Sequence, residues 1–213
     1  MIREAWEEAC FIAGDEQGHP GIPTAKEVQY VVDQILYKAP PPVPDGQFQI
    51  IYADPPWEYD NSGFSQSAAS HYPTMNTDKI CALPIVQIAA DDAVLLLWVT
   101  APMLPDGLRV LGAWGFEYVT CIVWVKPSGP GIGWWTDGCA ELMLIGKRGK
   151  SVHPAFRLQS VMEYAVTEHS KKPAEVYKII EDAWYHNPKV ELFARNEREG
   201  WTYWGNEVGG GVE

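Results

Sequence analysis

The sequence predicts an α/β protein with a mostly parallel β-sheet. Three apolar runs, at positions 48–53, 93–100 and 118–125, have the composition of strands buried on both faces. Residues 102–114 lie between the second and third runs and read as a helix, which suits a crossover between parallel strands. In such sheets ligands bind beyond the carboxyl ends of the strands, so we expect the functional site there.

Length and cysteine usage indicate one compact domain without a metal site. The 213 residues suit a single α/β domain with a short appendage. The four cysteines are scattered and form no CxxC pair, so we expect reduced thiols and no bound metal. No apolar run reaches the roughly 20 residues of a membrane span. The acidic N-terminus differs from a signal peptide, which favours a cytoplasmic protein with no membrane partner.

The charge distribution permits a nucleic-acid partner without supporting one. A net charge of −12 is unfavourable, because contact with phosphates needs a basic surface. Residues 145–173, however, contain six bases and only two acids. This segment can supply a local basic patch, although a solvated hairpin tip explains Lys147 to Lys150 equally well.

The first 46 residues form a predicted helical appendage. Thr24 to Glu27 is a capping box followed by apolar residues at helical spacing, and a proline-rich connector leads from Ala39 to Gly46. We therefore expect an appendage at 1–46, the main domain at 47–208 and a flexible glycine-rich tail at 209–213. The appendage can be a lid, an oligomer contact or a packing element, and the sequence leaves these open.

The first apolar run ends abruptly on Asp54-Pro55-Pro56-Trp57. Two consecutive prolines fix φ twice and remove two N–H donors. The carbonyls of Asp54 and Pro55 should therefore be rigid acceptors beside the flat ring of Trp57. This arrangement suits a planar substrate that carries an amino group. The competing interpretation is a strand that ends in a proline turn, with Trp57 packed on the core.

Later segments add a loop and further strands. The glycine-rich stretch 128–135 carries two tryptophans that can either stack on a base or fold onto the core. We expect an antiparallel hairpin of strands at 140–146 and 161–166, with the basic residues between them. A helix should run from Pro173 to about Trp184, and the last strand should occupy residues 190–195.

Four motifs in order, DPPW, LWVT, SKKPAEVY and ELFAR…GW…WGNE, resemble the MT-A group of adenine-N(6) methyltransferases. This group includes the catalytic subunit of the eukaryotic messenger-RNA adenine methylase. The resemblance covers residues 48–207. It implies a Rossmann-like S-adenosylmethionine-dependent methyltransferase fold in which the catalytic motif precedes the cofactor segments, a permuted order. No GxGxxG dinucleotide motif is present in the sequence.

The resemblance also implies roles for individual residues. The catalytic residues are Asp54, Pro55, Pro56 and Trp57. The residues expected to border the substrate are Tyr59, His71, Tyr72, Trp134 and Trp135. The residues expected to bind S-adenosylmethionine are Asp54, Lys172, Glu191, Arg195, Asn206 and Glu207. The family often has an aromatic–arginine pair where this chain has Thr136-Asp137, so contacts to the substrate backbone in this loop do not carry over.

The implied function is N6 methylation of adenine in nucleic acid. DNA is favoured over RNA, because the sequence lacks the zinc-finger and disordered appendages of the eukaryotic RNA enzymes, and a bacterial or phage enzyme fits best. A homodimer or a partner subunit could supply the basic surface that this acidic chain lacks. The alternatives are methylation of RNA, methylation of another amine, a non-catalytic binding subunit, and an unrelated Rossmann-like protein.

Overall fold

The computed structural model describes residues 41–58, 74–127, 135–136, 138–150, 152–166 and 171–206, with scattered positions at 6–7, 10, 13, 21–24 and 28. The chain divides into two compact units. One consists of Met1–Pro41 with Pro56–Thr77, and the other of Pro42–Pro55 with Asp78–Glu213. The helices expected within residues 1–46 fall largely outside the described residues, as does the expected tail. No helix in the described ranges is long and apolar enough to cross a membrane.

The second unit is built on a mixed sheet, which confirms the predicted fold class. Its strands are β1 (Phe48–Ala53), β2 (Ala89–Thr100), β3 (Glu117–Val125), β4 (Ala140–Arg148), β5 (Val161–Glu163), β6 (Lys189–Leu192) and β7 (Thr202–Trp204). The helices are α1 (Thr77–Cys81), α2 (Leu104–Ala113) and α3 (Glu175–Ala183), with 3-10 turns at Ile85–Gln87 and Ala101–Met103. The strand order across the seven-stranded sheet is β5-β3-β4-β2-β1-β6-β7.

Strand β1 lies inside the sheet, parallel to β2 on one side and to β6 on the other. Ile50, Ile51 and Ala53 are fully buried, as expected for a strand covered on both faces. Helix α2 connects β2 to β3 as predicted, but these two strands are not neighbours, because β4 lies between them. Asp54, which follows β1, therefore lies at the carboxyl edge of the parallel strands.

The predicted hairpin of strands at 140–146 and 161–166 is wrong. Strand β4 pairs antiparallel with both β2 and β3, whereas β5 pairs parallel with the far side of β3. The run at 140–148 is apolar enough to lie inside the sheet, paired with a strand on each side. The three-residue β5 is short, which suits the edge of the sheet. Because β4 runs opposite to its neighbours, its first residues lie beside the last residues of β2 and β3. Glu141 is thereby paired with Thr100 and with Trp124.

The reversal of β4 also divides the predicted basic patch. At the far end of β4, Arg148 pairs with Ala93 near the start of β2. Lys147 and Arg148 therefore lie at the edge of the sheet opposite to Asp54. Lys172, from the same basic segment, lies at the carboxyl edge, where it contacts Asp54. The basic residues of 145–173 do not form one surface.

The predicted last strand at 190–195 is too long, and it is not the last. Strand β6 ends at Leu192, because the next residue, Phe193, has a φ of 61° that leaves the extended conformation. Strand β7 then pairs parallel with β6. The backbone N–H of Ala194 donates to the carbonyl of Trp204 at 3.0 Å and ties the segment after β6 to the end of β7.

Large aromatic side chains form the core beneath the carboxyl edge. Trp98 of β2 and Trp124 of β3 meet edge to face, with ring centroids 6.0 Å apart. The indole N–H of Trp98 donates to the Tyr52 hydroxyl at 2.7 Å, and that of Trp124 donates to the Tyr164 carbonyl at 2.9 Å. These buried polar groups are therefore satisfied, and the rings are held in one orientation.

Gly205, directly after β7, is predicted to be required for the close approach of the backbone to Ala194 in the segment after β6. A Cβ at this position would lie 2.6 Å from the carbonyl oxygen and 2.8 Å from the nitrogen of Ala194. Both neighbours are backbone atoms, so Gly205→Ala must displace the main chain. We expect a loss of about 1–3 kcal/mol in the free energy of unfolding, measured by urea denaturation.

Gly112→Ala is the matched control. Gly112 lies in α2, and a Cβ there would meet nothing within 4 Å. Because alanine is the better helix former, this variant should gain up to about 1 kcal/mol. Equal stability of the two alanine variants would contradict the close approach at Gly205.

Candidate active site

Four charged side chains meet at the carboxyl edge of the sheet. Asp54 follows β1, Lys126 follows β3, Glu141 is the second residue of β4, and Lys172 precedes α3. The Lys172 ammonium donates to Asp54 Oδ2 at 2.7 Å and lies 3.4 Å from Glu141 Oε2. Lys126 donates to the other oxygen of Glu141. The four groups thus form a chain in which carboxylates and ammonium groups alternate, which we call the charge network.

Burial and pairing shift the pKa values of the charge network in different directions. Burial raises the pKa of Asp54 above its usual value, and the neighbouring Lys172 offsets this only in part. Burial acts in the same way on Glu141, but Lys172 and Lys126 outweigh it and lower its pKa. Burial would lower the pKa of Lys172, yet Asp54 and Glu141 outweigh it and raise that pKa. The surroundings therefore favour the charged form of Glu141 and disfavour that of Asp54.

The two lysines of the network lie over buried indoles. The Lys172 ammonium is 5.5 Å from the ring centroid of Trp98, and that of Lys126 is 4.9 Å from the ring centroid of Trp124. Such contacts favour a cation by about 0.5–2 kcal/mol, more where water is excluded. The buried indoles therefore stabilise the two ammonium groups of the charge network.

A second cluster lies beside Asp54. The Tyr177 hydroxyl of α3 donates to Glu191 Oε1 of β6 at 2.6 Å. The Tyr177 ring meets the Tyr52 ring edge to face at 5.3 Å, and the Arg198 guanidinium lies 4.0 Å from the Tyr177 centroid. Glu191 is only 8% exposed. Its burial raises the pKa of the carboxyl, while the Tyr177 hydroxyl and Arg198 act in the opposite direction.

A pocket joins the two clusters. Its lining combines aromatic rings, carboxylates and cations: Tyr52, Asp54, Lys171, Lys172, Ala174, Tyr177, Glu191, Phe193, Arg195, Asn196, Glu197 and Arg198. The lysines can bind an anionic group, and Glu191 can accept hydrogen bonds from hydroxyls. The phenylalanine and tyrosine rings offer apolar surface. A ligand with a carboxylate, a sugar and a flat base therefore finds a matching group for each part.

Four of the residues predicted to bind the cofactor line this pocket: Asp54, Lys172, Glu191 and Arg195. Asn206 follows β7 and is exposed, but it does not line the pocket. Glu207 lies outside the described residues. The prediction for these last two residues stays a prediction.

Four further predicted residues fall within the described ranges: Pro55, Pro56, Trp57 and Trp135. In the first unit, the Pro56 carbonyl accepts the Met75 N–H at 2.7 Å, and Trp57 forms a β-bridge with Met75. Trp57 is 5% exposed. Pro55, in the second unit, is buried directly after Asp54. Trp135 is 98% exposed, which makes its ring accessible. The other substrate predictions, Tyr59, His71, Tyr72 and Trp134, fall outside the described residues.

Four residues of the site were not predicted from the sequence: Lys126, Glu141, Tyr177 and Arg198. Lys126 and Glu141 each carry a charge at the end of an apolar strand, and this was the available signal. It could not be used without the direction of β4, which decides at which edge Glu141 lies. Tyr177 reads as an ordinary core residue of an amphipathic helix, because its hydroxyl partner lies on a different strand.

Tyr177→Phe is predicted to destabilise the protein in a pH-dependent manner. The ring is retained, but Glu191 loses a hydrogen-bond donor, so we expect a loss of about 1–3 kcal/mol. The pKa of Glu191, already raised, should rise further. The charged form of Glu191 is then less stable in the folded protein. The loss in the free energy of unfolding should therefore be greatest above that pKa and should shrink as the pH falls through it. Urea unfolding at about pH 7 and about pH 4 measures this difference.

Tyr185→Phe serves as the control for the loss of a hydroxyl. Tyr185 is 75% exposed and makes a ring contact with His186. Its removal should change the stability by less than about 0.5 kcal/mol at either pH. A deficit in Tyr177→Phe that does not depend on pH would argue against the coupling to Glu191.

Comparison with known proteins identifies the family of the chain. The profile of the MT-A70 family matches residues 48–207, which include all seven strands. The chain is similar to the Type II methyltransferase M.MunI of Mycoplasma sp, with 34% identity over 190 residues that cover 79% of this chain and 81% of that protein.

Eukaryotic proteins are similar over the same region. The human N(6)-adenosine-methyltransferase catalytic subunit METTL3 is 31% identical over 175 residues, covering 78% of this chain and 29% of that protein. The N(6)-adenosine-methyltransferase MT-A70-like protein of Drosophila melanogaster is 32% identical, covering 78% and 28%. The chain thus spans less than a third of these two animal proteins. From the family match and these relatives, the chain belongs to the MT-A70 family of nucleic-acid adenine-N6 methyltransferases.

Proposed function

We propose that this chain transfers a methyl group from S-adenosylmethionine to the N6 amine of adenine in DNA. The observation that carries the proposal is the position of Asp54. It ends β1 at the carboxyl edge of the sheet, is paired with Lys172, and lines a pocket with the groups that the cofactor needs.

The lining residues fit S-adenosylmethionine in their chemistry. Lys172 can bind the carboxylate of the methionine part, because its ammonium already pairs with carboxylates at this point. Glu191 can accept hydrogen bonds from the ribose hydroxyls, and Arg195 can bind around the adenosyl part. Asn206, predicted for the same role, is not among the lining residues. Bound S-adenosylmethionine would supply an electrophilic methyl group.

Asp54 and the Pro55 carbonyl would prepare the amine for attack. The lone pair of an aromatic amine is delocalised into the ring, so the amine is a poor nucleophile. Two acceptors that bind its two N–H groups draw the nitrogen towards a pyramidal geometry and expose the lone pair. As the new N–C bond forms, one proton must leave the nitrogen. Asp54 is suited to receive it, because burial raises its pKa.

The choice of DNA is supported by the higher identity to the Type II methyltransferase M.MunI, which is 34% against 31% for METTL3. Methylation of RNA is therefore the second candidate. A non-catalytic subunit is less well supported, because Asp54 and Lys172 are both present and paired. The predicted contacts of Pro56, Trp57, Tyr59, His71, Tyr72, Trp134, Trp135 and Glu207 belong to the same proposal.

The direct test is methyl transfer from labelled S-adenosylmethionine to duplex DNA, single-stranded DNA and RNA of matched sequence. We expect N6-methyladenine in DNA, identified by digestion and mass spectrometry. Asp54→Asn should lower kcat by about 10²–10³-fold, because a neutral amide oxygen accepts the amine N–H more weakly and cannot take up its proton.

Asp182→Asn is the control for the loss of an aspartate. Its side chain is half exposed and pairs only with Lys178 among the contacts described, so activity should be unchanged. Label on RNA alone would change the substrate class. Cofactor binding without any methyl transfer would favour a subunit that needs a partner, and the absence of both would reject the proposal.

Lys172 is predicted to determine affinity for the cofactor. Lys172→Met should weaken S-adenosylmethionine binding by about 10–100-fold, the value of one charge-assisted hydrogen bond. Isothermal titration calorimetry without nucleic acid measures this loss. Lys172→Arg keeps the charge and should retain more of the affinity. The comparison of the two variants separates binding of the cofactor by this side chain from the repulsion between Asp54 and Glu141 that follows when the positive charge is lost.

Lys178→Met, on the exposed face of α3, removes a lysine that is remote from the network and should bind normally. Unchanged affinity in Lys172→Met would place the cofactor carboxylate elsewhere.

A further inference from the structure

The proposed function leaves Glu141 without a role, although it is central to the charge network. Its two oxygens face two different cations, Lys126 and Lys172. Its side chain is 13% exposed and that of Lys172 is 12% exposed, so neither charge is freely hydrated. A carboxylate in such a place is costly unless it is paired, so its presence there calls for a reason beyond surface charge.

We propose that Glu141, held in place by Lys126, is a positioning residue that receives the Lys172 ammonium when Asp54 engages the substrate amine. This inference rests on the proposed function. It assigns to Glu141 and Lys126 a part in the availability of Asp54.

Competition for Asp54 is the first argument. The Lys172 ammonium occupies Asp54 Oδ2 at 2.7 Å. An amine that also donates to this carboxylate competes with the lysine for acceptor sites. Lys172 must therefore share or leave this oxygen during the reaction, and a buried ammonium needs acceptors for its donors. The cofactor carboxylate proposed above would take only part of the three Lys172 donors, so a protein acceptor is still required for the donor that leaves Asp54.

Distance is the second argument. Glu141 Oε2 is already 3.4 Å from the Lys172 ammonium. A displacement of less than about 1 Å converts this ion pair into a hydrogen bond of normal length. Lysine has three donors on a flexible stem, so it can redistribute between two carboxylates without a change in the backbone.

The role of Lys126 follows from charge balance. It donates to Glu141 from the side opposite to Lys172 and is itself seated over Trp124. It therefore fixes the Glu141 carboxylate while Lys172 moves. Two lysines and two carboxylates sum to zero. The buried site therefore stays neutral overall when Lys172 shifts from one carboxylate to the other.

Asp54 has further charged and titratable neighbours whose effect must be separated from that of Glu141. From β1, α3, β6 and their flanks these are Tyr52, Lys172, Tyr177, Glu191 and Arg195. None of them is substituted in variants at Glu141, so a change at Asp54 in such variants reports on the loss of the Glu141 charge.

The kinetic test uses Glu141→Gln, which keeps the shape and removes the charge. We expect kcat to fall by about 10–100-fold, because Lys172 then stays on Asp54, while the Kd for S-adenosylmethionine and the KM for nucleic acid change little. Lys126→Met should lower kcat in the native chain but not further in the Glu141→Gln background, because Lys126 acts through Glu141. Lys126→Arg should restore most of the activity.

A second readout does not depend on catalysis. In protein labelled with ¹³C at aspartate carboxyls, the pKa of Asp54 is followed by NMR, with Asp54→Asn to assign the signal. Loss of the Glu141 charge should lower this pKa, because a neighbouring anion raises it and Lys172 becomes free to bind Asp54 alone. The acid limb of the kcat profile should move to lower pH in parallel.

Glu163→Gln is the matched control. Glu163 is exposed at the end of β5, where it pairs with Val125 at the same edge of the sheet. The substitution Glu163→Gln removes an equal charge outside the network, so both kcat and the pKa of Asp54 should be unchanged.

Three outcomes would overturn the inference: an unchanged kcat in folded Glu141→Gln, equal loss of cofactor affinity and kcat, or an unchanged pKa of Asp54. If Glu141→Gln does not fold, Lys126→Met provides the same kinetic comparison with Lys126→Arg as its rescue. If the native chain methylates no nucleic acid, the proposed function fails, but the NMR titration still decides whether Glu141 and Asp54 are coupled.

Discussion

The ion pair between Asp54 and Lys172 is the interaction on which the rest of the site depends. It joins residues 118 positions apart, at the end of β1 and at the start of the segment leading into α3. Because both charges are largely covered, each requires the other, and the pair fixes where the segment after β1 meets the segment before α3. The pocket, the second cluster around Glu191 and the proposed exchange with Glu141 are all arranged about this pair. A substitution at either partner should therefore affect both binding and catalysis.

One topological feature determines the composition of the site. Parallel strands direct their carboxyl ends to one edge, and this alone brings together Asp54, Lys126 and the segment after β6. The antiparallel β4 adds its first residues to the same edge, so it contributes Glu141 where a parallel strand would contribute its last residue. The same reversal carries Lys147 and Arg148 to the opposite edge. A single change of strand direction thus supplies a buried anion to the site and removes two cations from it.

The aromatic core gives the site a rigid floor. Trp98, Trp124 and Tyr52 are buried, with their polar atoms bonded to one another or to backbone. Two of these rings also lie beneath the lysines of the charge network. Packing and electrostatics are therefore coupled: a smaller side chain at either tryptophan would both open a cavity and leave an ammonium group without its aromatic support.

The sequence by itself determined the fold class, the crossover helix between β2 and β3, and the position of Asp54 at a strand end. These features depend on local patterns, namely apolar runs, helical spacing and two prolines after a strand. Resemblance to known sequences added Lys172, Glu191 and Arg195. Only the tertiary structure decided that β4 is reversed, that β7 exists, and that Glu141 and Tyr177 lie beside those residues. Strand direction and cross-strand pairing arise from contacts between distant segments, and no local pattern in the chain encodes them.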